Sequence, residues 1–560
     1  MQTKWLKKKN WIIFLLSALY LLILAGCMGS AGVEEKSAEP KAKGTFHLVG
    51  IGPGDADLLT GRALDVIRNA DLVFCGPDEK AKLVPYVDFT HKEVLHEYRH
   101  LFRFYGKDCA KTPREEQFRD GMSCEDYHKK QAEFAGLVRR AVAEGKHVAV
   151  LSSGDPTVYG PDVWSLRELH DLDPKVVPGV SALNAANAAL KVSLGEVIIT
   201  APFKREEGKD TIESLAGHGR ATMVIFMPRD MKDLFARLAK ACKGDTPAAI
   251  VCDAGIAGSQ KVTASTVAGF AASLPAVDSG RSIVYVGDTL AKALFKSGPA
   301  SGQAGQGKFY LVGMGPGDAD LTTLRAVKVI EKADLIFAGE NLKQRYASLL
   351  TGKKVLDGYH RLFPFYGKKC SEISEAEKRN ERMSCEEYHQ KQAEFAAIAR
   401  EAISKGETVV MLDSGDPLIY SPCSWTLTEL KDLNTEVVPG MSCFNAANAA
   451  LRAGITEGKD SHSVILASGW TVEEMAAHQC AMSLFTMRTE FKKFIDSLSK
   501  HYPAETPVAV VLSAGYAEKE KVIHGTLGDI TARMAANTLP FEYLLYVGDF
   551  LNHSVDRLNN

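Results

Sequence analysis

Gly50-Ile51-Gly52-Pro53-Gly54-Asp55 places three glycines and a carboxylate within six residues. An apolar run at 45–49 precedes it, and a stretch with helical spacing follows. Glycines in such a turn let backbone N–H groups come close to a ligand, and the N-terminus of the next helix adds partial positive charge. The spacing is not the dinucleotide-binding G-x-G-x-x-G, because Asp55 stands where the third glycine belongs. Nor is it a P-loop, since no Gly-Lys-Ser/Thr follows. Two further segments have the same character: Gly154-Asp155-Pro156, with Tyr159 close behind, and Pro178-Gly179-Val180-Ser181. Taken singly, each is either a ligand loop or a tight turn. Asp55 and Asp155 are the carboxylates placed for chemistry, and each is equally suited to capping a turn.

All three segments recur. FHLVGIGPGDADLLTGRALDVIRNADLVF at 46–74 returns as FYLVGMGPGDADLTTLRAVKVIEKADLIF at 309–337. LSSGDPTVYG at 151–160 matches LDSGDPLIYS at 412–421, and VVPGVSALNAANAAL at 176–190 matches VVPGMSCFNAANAAL at 437–451. Asp155 and Asp416, Asn184 and Asn445, and Val286 and Val547 each stand 261 residues apart, which reads as a constant register. Self-similarity of this kind marks duplication of a whole fold. The second set of loops is Gly315-Pro316-Gly317-Asp318, Gly415-Asp416-Pro417 with Tyr420, and Pro439-Gly440-Met441-Ser442. SGPASGQAGQG at 297–307 lacks apolar periodicity and reads as a flexible linker between copies at 45–296 and 308–553.

The elements that must position these loops are legible in the first copy. Strands are expected at 45–49, 72–74 and 147–151, a helix at 58–70, and a small-residue helix at 182–190. Beyond residue 195, strands are expected at 197–200, 222–226, 248–252 and 282–286, with helices between them. Strands alternating with helices indicate an α/β fold with a largely parallel sheet. Each copy is therefore expected to hold two α/β lobes with a ligand cleft between them, at the carboxyl ends of the strands.

The order Gly-Pro-Gly-Asp, Gly-Asp-Pro and Pro-Gly-Val/Met-Ser, present in both copies, resembles the tetrapyrrole (corrin/porphyrin) methylase family. That resemblance implies methyl transfer from S-adenosylmethionine to a carbon of a tetrapyrrole-like substrate. It implies cofactor contacts at Gly52, Pro53, Gly54, Asp55, Gly154, Asp155, Pro156, Tyr159, Pro178, Gly179 and Ser181. In the second copy it implies Gly315, Pro316, Gly317, Asp318, Gly415, Asp416, Pro417, Tyr420, Pro439, Gly440 and Ser442. A Thr-x-Val-x-(Phe/Tyr)-Met segment usually lines the cofactor; Thr222–Met227 fits it, and 482–487, ending at Met487, fits more loosely because its Thr is lost. Ala254 and Ala514 would add backbone contacts. Methyl transfer to carbon needs mainly a positioned donor and acceptor, so no catalytic base is assigned. The family is commonly homodimeric, which implies that the two copies pair as an internal pseudo-dimer.

The formal charge of -2 gives no global field for nucleic acid, and none is expected as a partner. Lys4, Lys7, Lys8 and Lys9 precede an apolar run from Trp11 to Leu24, which ends in Leu24-Ala25-Gly26-Cys27. A charged start, a short apolar stretch and small residues describe a signal peptide. The ending resembles the bacterial lipobox, so residues 1–27 are expected to be a signal with Cys27 lipidated. Residues 28–44 are a solvated tether. The expected location is exported and membrane-anchored on the periplasmic side; Met28 after the cysteine weakly favours the outer membrane.

Export permits disulfides. Each copy carries a segment that the family pattern does not predict, 102–134 and 363–395. Both keep Cys109/Cys370, Cys124/Cys385 and His128/His389 while the residues between diverge. One reading is a pair of disulfides, Cys109–Cys124 and Cys370–Cys385, stapling polar loops. The other is a metal or haem site, since cysteine and histidine four apart share a helix face. The remaining Cys75, Cys242, Cys252, Cys423, Cys443 and Cys480 are expected to be buried free thiols. Tyr98, Arg99, Phe102, Arg103, Phe104, Tyr105 and Lys107 either pack the loop or offer rings and cations to a polycarboxylated tetrapyrrole. Three functions follow: an S-adenosylmethionine-dependent methyltransferase, an exported lipid-anchored binder of a tetrapyrrole, haem or metal complex, and an interaction scaffold. Export tells against the first, because S-adenosylmethionine is a cytoplasmic metabolite.

Overall fold

The computed structural model describes residues 44–98, 100–203, 210–218, 221–296, 307–379, 381–458, 461–485, 491–534, 539–540 and 543–559. The expected signal peptide, Cys27, most of the tether, the linker at 297–306, Arg99 and Met487 lie outside them. Among the described residues, no helix is long and apolar enough to cross a membrane.

Each copy opens with a five-stranded, wholly parallel sheet. In the first, the spatial order is Glu93–Leu95, Leu72–Phe74, His147–Ser152, Thr45–Gly50 and Lys175–Val177. The second repeats it with Lys354–Leu356, Leu335–Phe337, Thr408–Asp413, Lys308–Gly313 and Thr435–Val438. Leu48, Val49, Val73 and Ala149 are fully buried, as strands covered on both faces by helices require. One cover is the 20-residue helix Cys124–Ala143, capped by Ser123 and Asp126, whose Phe134 and Val138 pack on Phe46 and Leu48. The expected helix at 58–70 starts later, at Gly61–Asn69. Ala56–Leu58 forms a short 3-10 turn instead, and Thr60 caps the helix by accepting the Ala63 N–H at 3.1 Å.

The remaining strands of both copies share one ten-stranded sheet. From one edge it runs Lys261–Thr266, Pro247–Cys252, Ser282–Val286, Thr222–Ile225 and Val197–Thr200, and then crosses into the second copy. There it continues with Val464–Ala467, Ala481–Phe485, Tyr543–Val547, Pro507–Leu512 and Lys521–Thr526. The crossing is antiparallel, with Ile198 opposite Ile465. The edge strand Lys261–Thr266, absent from the sequence reading, pairs antiparallel with Pro247–Cys252. Its side chains are half-buried or exposed, so it carries little apolar signal.

The register between copies is not constant. Gly52 and Gly315 stand 263 residues apart, and so do Leu72 and Leu335, whereas Glu93 and Lys354 stand 261 apart. The second copy is therefore two residues shorter between its second and third strands, where two short helices, Glu340–Arg345 and Ala347–Leu350, stand in place of Pro77–Leu83.

The small-residue helix Ala182–Leu190 lies against the shared sheet. Tyr285, fully buried on the strand Ser282–Val286, donates its hydroxyl to Asn187 Oδ1 at 2.8 Å. Its counterpart Tyr546 meets a backbone carbonyl of the matching helix, Phe444 O at 3.3 Å, and lies beside Ser483. Removing a hydroxyl strands a buried acceptor at the first position, at a cost of about 1–3 kcal/mol. Tyr285→Phe is expected to lower the urea-unfolding midpoint more than Tyr546→Phe does. Equal effects would show that the Asn187 contact carries no special weight.

Candidate functional site

Adjacent parallel strands bring the loops together. Thr45–Gly50 lies between His147–Ser152 and Lys175–Val177, so the Gly-Pro-Gly-Asp, Gly-Asp-Pro and Pro-Gly-Val-Ser segments leave neighbouring carboxyl ends. Ile51 N–H donates to Ser152 O at 3.0 Å, and Gly52 N–H donates to Gly154 O at 3.3 Å. The second lobe arrives at the same point: Asp55 N–H donates to Gly255 O at 3.1 Å, next to Ala254. The second copy repeats each contact, Gly315 N–H to Gly415 O at 3.2 Å and Asp318 N–H to Gly515 O at 3.1 Å.

Two glycines do different work here. Gly54 has a φ of +72°, and a Cβ on it would sit 2.4 Å from the Gly255 carbonyl carbon. It is therefore a lobe-to-lobe contact and not a place where ligand approaches the backbone. Gly154, with a φ of +75°, is the opposite case. A Cβ there would meet nothing nearer than Ala182 N at 4.0 Å, so the chain leaves open space beside it. Pro53, Pro156, Pro178, Gly179 and Ser181 are buried, as are Pro316, Pro417, Pro439, Gly440 and Ser442.

The carboxylates singled out for chemistry are held by the opposite copy. Asp55 Oδ2 accepts the Ala257 N–H and Arg325 Nη2–H, each at 2.9 Å. Asp318 accepts the Ala517 N–H at 2.9 Å and Arg62 Nη2–H at 3.2 Å. Between these two clasps the backbones touch: Gly61 N–H donates to Thr322 O at 3.2 Å, and Leu324 N–H to Leu59 O at 2.9 Å. Asp155 Oδ1 accepts the N–H and hydroxyl of Thr157, and its Oδ2 accepts Asn445 Nδ2–H at 2.6 Å. Asn445 is itself locked by Ser442, with which it forms the cap of the helix Cys443–Leu451. The mirror contact is looser. Asn184, locked by Ser181, faces Asp416 without closing a hydrogen bond, and Leu418 replaces Thr157. Burial pushes the Asp155 carboxyl up to about 6 and the Asp416 carboxyl up to about 7, against the pull of their hydrogen bonds. Asp55, Asp155 and Asp318 are thus structural ties across the copies, Asp416 only faces the other copy, and Ser181 and Ser442 are helix caps.

Tyr159, Met227, Ala254, Tyr420 and Ala514 are half-buried and pack against one apolar cluster that contains Val158, Leu183, Val224 and Phe226. Tyr159 and Met227 hold φ values of +54° and +51°, conformations that persist only where the surroundings enforce them. The Tyr159 hydroxyl donates to His462 O at 2.6 Å, again across the copies. The sequence reading missed Lys82, whose Nζ donates to Ile51 O and Gly52 O at 3.1 and 3.0 Å. Burial draws its pKa down to about 8. Arg345 takes the same place against Gly315 O. A cation kept in register at both positions was the available signal. The two sites also differ. Ser152 Oγ is buried without a partner among the described residues, while its counterpart Asp413 bonds Ser421 and is pushed up to about 6 by burial. A cavity of about 200 Å³ lies at the seam between the copies, lined by Arg62, Lys175 and Pro178 from one and Arg452, Gly515 and Glu520 from the other.

In the inserted segments Cys109 is disulfide-bonded to Cys124, and Cys370 to Cys385. Tyr98, Phe104 and Tyr105 pack on Phe134, Tyr127 and Trp164, and Arg103 pairs with Asp120. That is loop packing; Phe102 is the one exposed ring of the group. Of the cysteines outside the disulfides, Cys75, Cys423 and Cys480 are buried, but Cys242, Cys252 and Cys443 are only half-buried, because they sit at element ends or beside the open side of a loop.

Residues 45–271 and 308–531 match the profile of one protein family, tetrapyrrole (corrin/porphyrin) methylases. The cobalt-precorrin-4 C(11)-methyltransferase of Methanocaldococcus jannaschii is 32% identical over 257 residues, 44% of this chain and 88% of that protein. The uroporphyrinogen-III C-methyltransferase of the same organism is 28% identical over 258 residues, 44% and 97%. Among solved structures, uroporphyrin-III C-methyl transferase from Thermus thermophilus complexed with S-adenyl homocysteine aligns at 20% identity and a TM-score of 0.33. It covers 44% of this chain and 99% of that one.

A carboxyl whose folded pKa stands above its unfolded value favours folding while protonated. That contribution is complete below about pH 4 and is lost as pH rises through the folded values, here about 6 and about 7. Asp416→Asn cannot ionise. Its urea-unfolding midpoint is expected to fall less than that of the unaltered chain between about pH 5 and about pH 8. Parallel falls would mean that Asp416 titrates normally.

Proposed function

The chain belongs to the tetrapyrrole (corrin/porphyrin) methylase family, and from that premise we propose that it transfers a methyl group from S-adenosylmethionine to a carbon of a tetrapyrrole. The observation that carries the reading is that both copies, each matched by the family, draw the same four glycine-bearing segments onto one point. Relatives that match over 43–44% of the chain include precorrin-4 and uroporphyrinogen-III C-methyltransferases, which supports the substrate class.

The residues suit an adenosyl group. A Cβ on Gly154 would meet nothing nearer than 4.0 Å and would fill part of the space beside it, while one on Gly415 would touch Met441 O at 3.7 Å. The buried Ser152 hydroxyl next to the Gly154 turn has no partner among the described residues. Gly52 and Pro53, Gly154 to Pro156, Tyr159, Pro178, Gly179, Met227 and Ala254 would hold the cofactor through backbone groups and apolar contact, as would their counterparts among the described residues of the second copy. S-adenosylmethionine supplies a methyl group on a positively charged sulfur when bound. The loops bind and orient it, Lys82 fixes the carbonyls of Ile51 and Gly52, and Tyr159 with Phe226 excludes water. Proximity and orientation of this kind account for most of the acceleration such a transfer needs.

The two copies act as an internal pseudo-dimer; the antiparallel crossing at Ile198 and Ile465 and the paired clasps Arg62–Asp318 and Arg325–Asp55 support it. The lysine-rich start, the apolar run and Leu24-Ala25-Gly26-Cys27 support a lipid anchor at Cys27 on an exported chain.

Calorimetric titration of the purified chain is expected to give S-adenosylmethionine binding at micromolar concentrations. Gly154→Ala, which strains the turn and fills the space, should abolish binding in the first copy and leave the second. Haem binding without S-adenosylmethionine binding would overturn the reading. Separately, Cys27→Ser is expected to release the chain from the membrane fraction; unchanged fractionation would remove the anchor.

A further inference from the structure

The cysteine pairs each have a third member that neither the disulfide nor methyl transfer uses. His128 Nδ1 lies 3.6 Å from Cys109 Sγ, and His389 Nδ1 lies 3.6 Å from Cys370 Sγ. The ligand atoms of Cys109, Cys124 and His128 lie within 4.8 Å of one another, as do those of Cys370, Cys385 and His389. The other ring nitrogen is committed. His128 Nε2 faces Phe104 O at 2.9 Å, and His389 Nε2 faces Phe365 O at 3.1 Å. A carbonyl only accepts, so Nε2 carries the proton and Nδ1 presents a lone pair to the sulfur. This is how metal-binding histidines are oriented: the second N–H is given to a carbonyl.

The backbone spends conformational energy on that arrangement. Phe104 and Phe365 have φ values of +58° and +61°, which a bulky side chain rarely adopts. In both copies the strained residue is the one whose carbonyl meets the histidine. A disulfide needs neither the histidine nor the aimed carbonyl. Cys124 and Cys385 begin the 20-residue helices Cys124–Ala143 and Cys385–Ser404, where the helix N-terminus favours a thiolate. Zinc bonded to sulfur at about 2.3 Å and to nitrogen at about 2.0 Å, at a tetrahedral angle, sets those atoms about 3.5 Å apart. The observed 3.6 Å is already that distance.

We propose that each cysteine pair, once reduced, forms with its histidine a three-ligand site for a zinc-class divalent cation, so that thiol–disulfide exchange loads and unloads metal. An external dithiol supplies two electrons and two protons. The sulfur–sulfur bond breaks to give two thiols, and the reductant becomes the disulfide. Cation binding then displaces the two thiol protons, and His128 or His389 gives its Nδ1 lone pair as the third ligand. The fourth position is left to water, as in zinc sites with three protein ligands. Cys109, Cys370 and both histidines are half-buried, so reductant and cation reach them from outside. The proposal does not depend on methyl transfer.

Cobalt(II) is the probe, added anaerobically to the full chain before and after reduction with a phosphine. The reduced chain is expected to take up about two cobalt ions with a thiolate-to-cobalt charge-transfer band, and the oxidised chain none. Cys124→Ser with Cys385→Ser should remove the band. His128→Gln with His389→Gln, which leaves both disulfides intact, should weaken uptake about tenfold or more. Equal uptake by the oxidised chain, no uptake by the reduced chain, or a band that survives both double variants would overturn the proposal.

Discussion

Everything at the candidate site depends on backbone meeting backbone where three parallel strands end. A Cβ on Gly50 would sit 2.6 Å from Gly179 N and 2.8 Å from Gly154 O, and one on Gly179 would sit 2.3 Å from Gly154 O. No side chain fits among these segments. The second lobe is seated by the same rule, through Gly54 on Gly255. Because interiors are close-packed and transmit strain, the loops cannot relax independently. The open space beside Gly154 survives because its neighbours are fixed by contacts that admit nothing else.

The second constraint is duplication. The Arg62–Asp318 and Arg325–Asp55 pairs are partly exposed and individually weak in water. Their value is positional: each ties a glycine loop of one copy to the first helix of the other. Asp155 and Asn445 do the same in the interior, where an unpaired carboxylate would be costly. A homodimer must keep both halves of such a seam identical. A fused pair need not, and here it has diverged. Thr157 against Leu418, Ser152 against Asp413, and Glu520 against Gln260 make the two sites chemically unequal while the loops stay the same.

Much of this was legible in the residues. The strands at 45–50, 72–74 and 147–152 and the helix Ala182–Leu190 follow from apolar runs and small-residue periodicity. The glycine loops gave their own position, because three strand ends in sequence become three neighbours in a parallel sheet. What stayed hidden is long-range. Asp55 and Asp155 look like reactive carboxylates until Arg325 and Asn445 arrive from residues some 270 and 290 positions away. Lys261–Thr266 is half-polar and exposed at a sheet edge, so alternation was too weak to reveal it. The joining of Val197–Thr200 to Val464–Ala467 leaves no mark on either strand, since a buried strand looks the same whether its neighbour comes from its own copy or the other.

The account stands or falls on what fills the space at Gly154 and Gly415. A crystal structure of the chain grown with S-adenosylhomocysteine measures that directly. The account predicts the nucleoside seated against the open side of the Gly154 turn, its sulfur directed towards the gap between the lobes, with the Gly54–Gly255 contact unchanged. Density for the ligand elsewhere, or loops closed over an empty turn in both copies at saturating ligand, would contradict it.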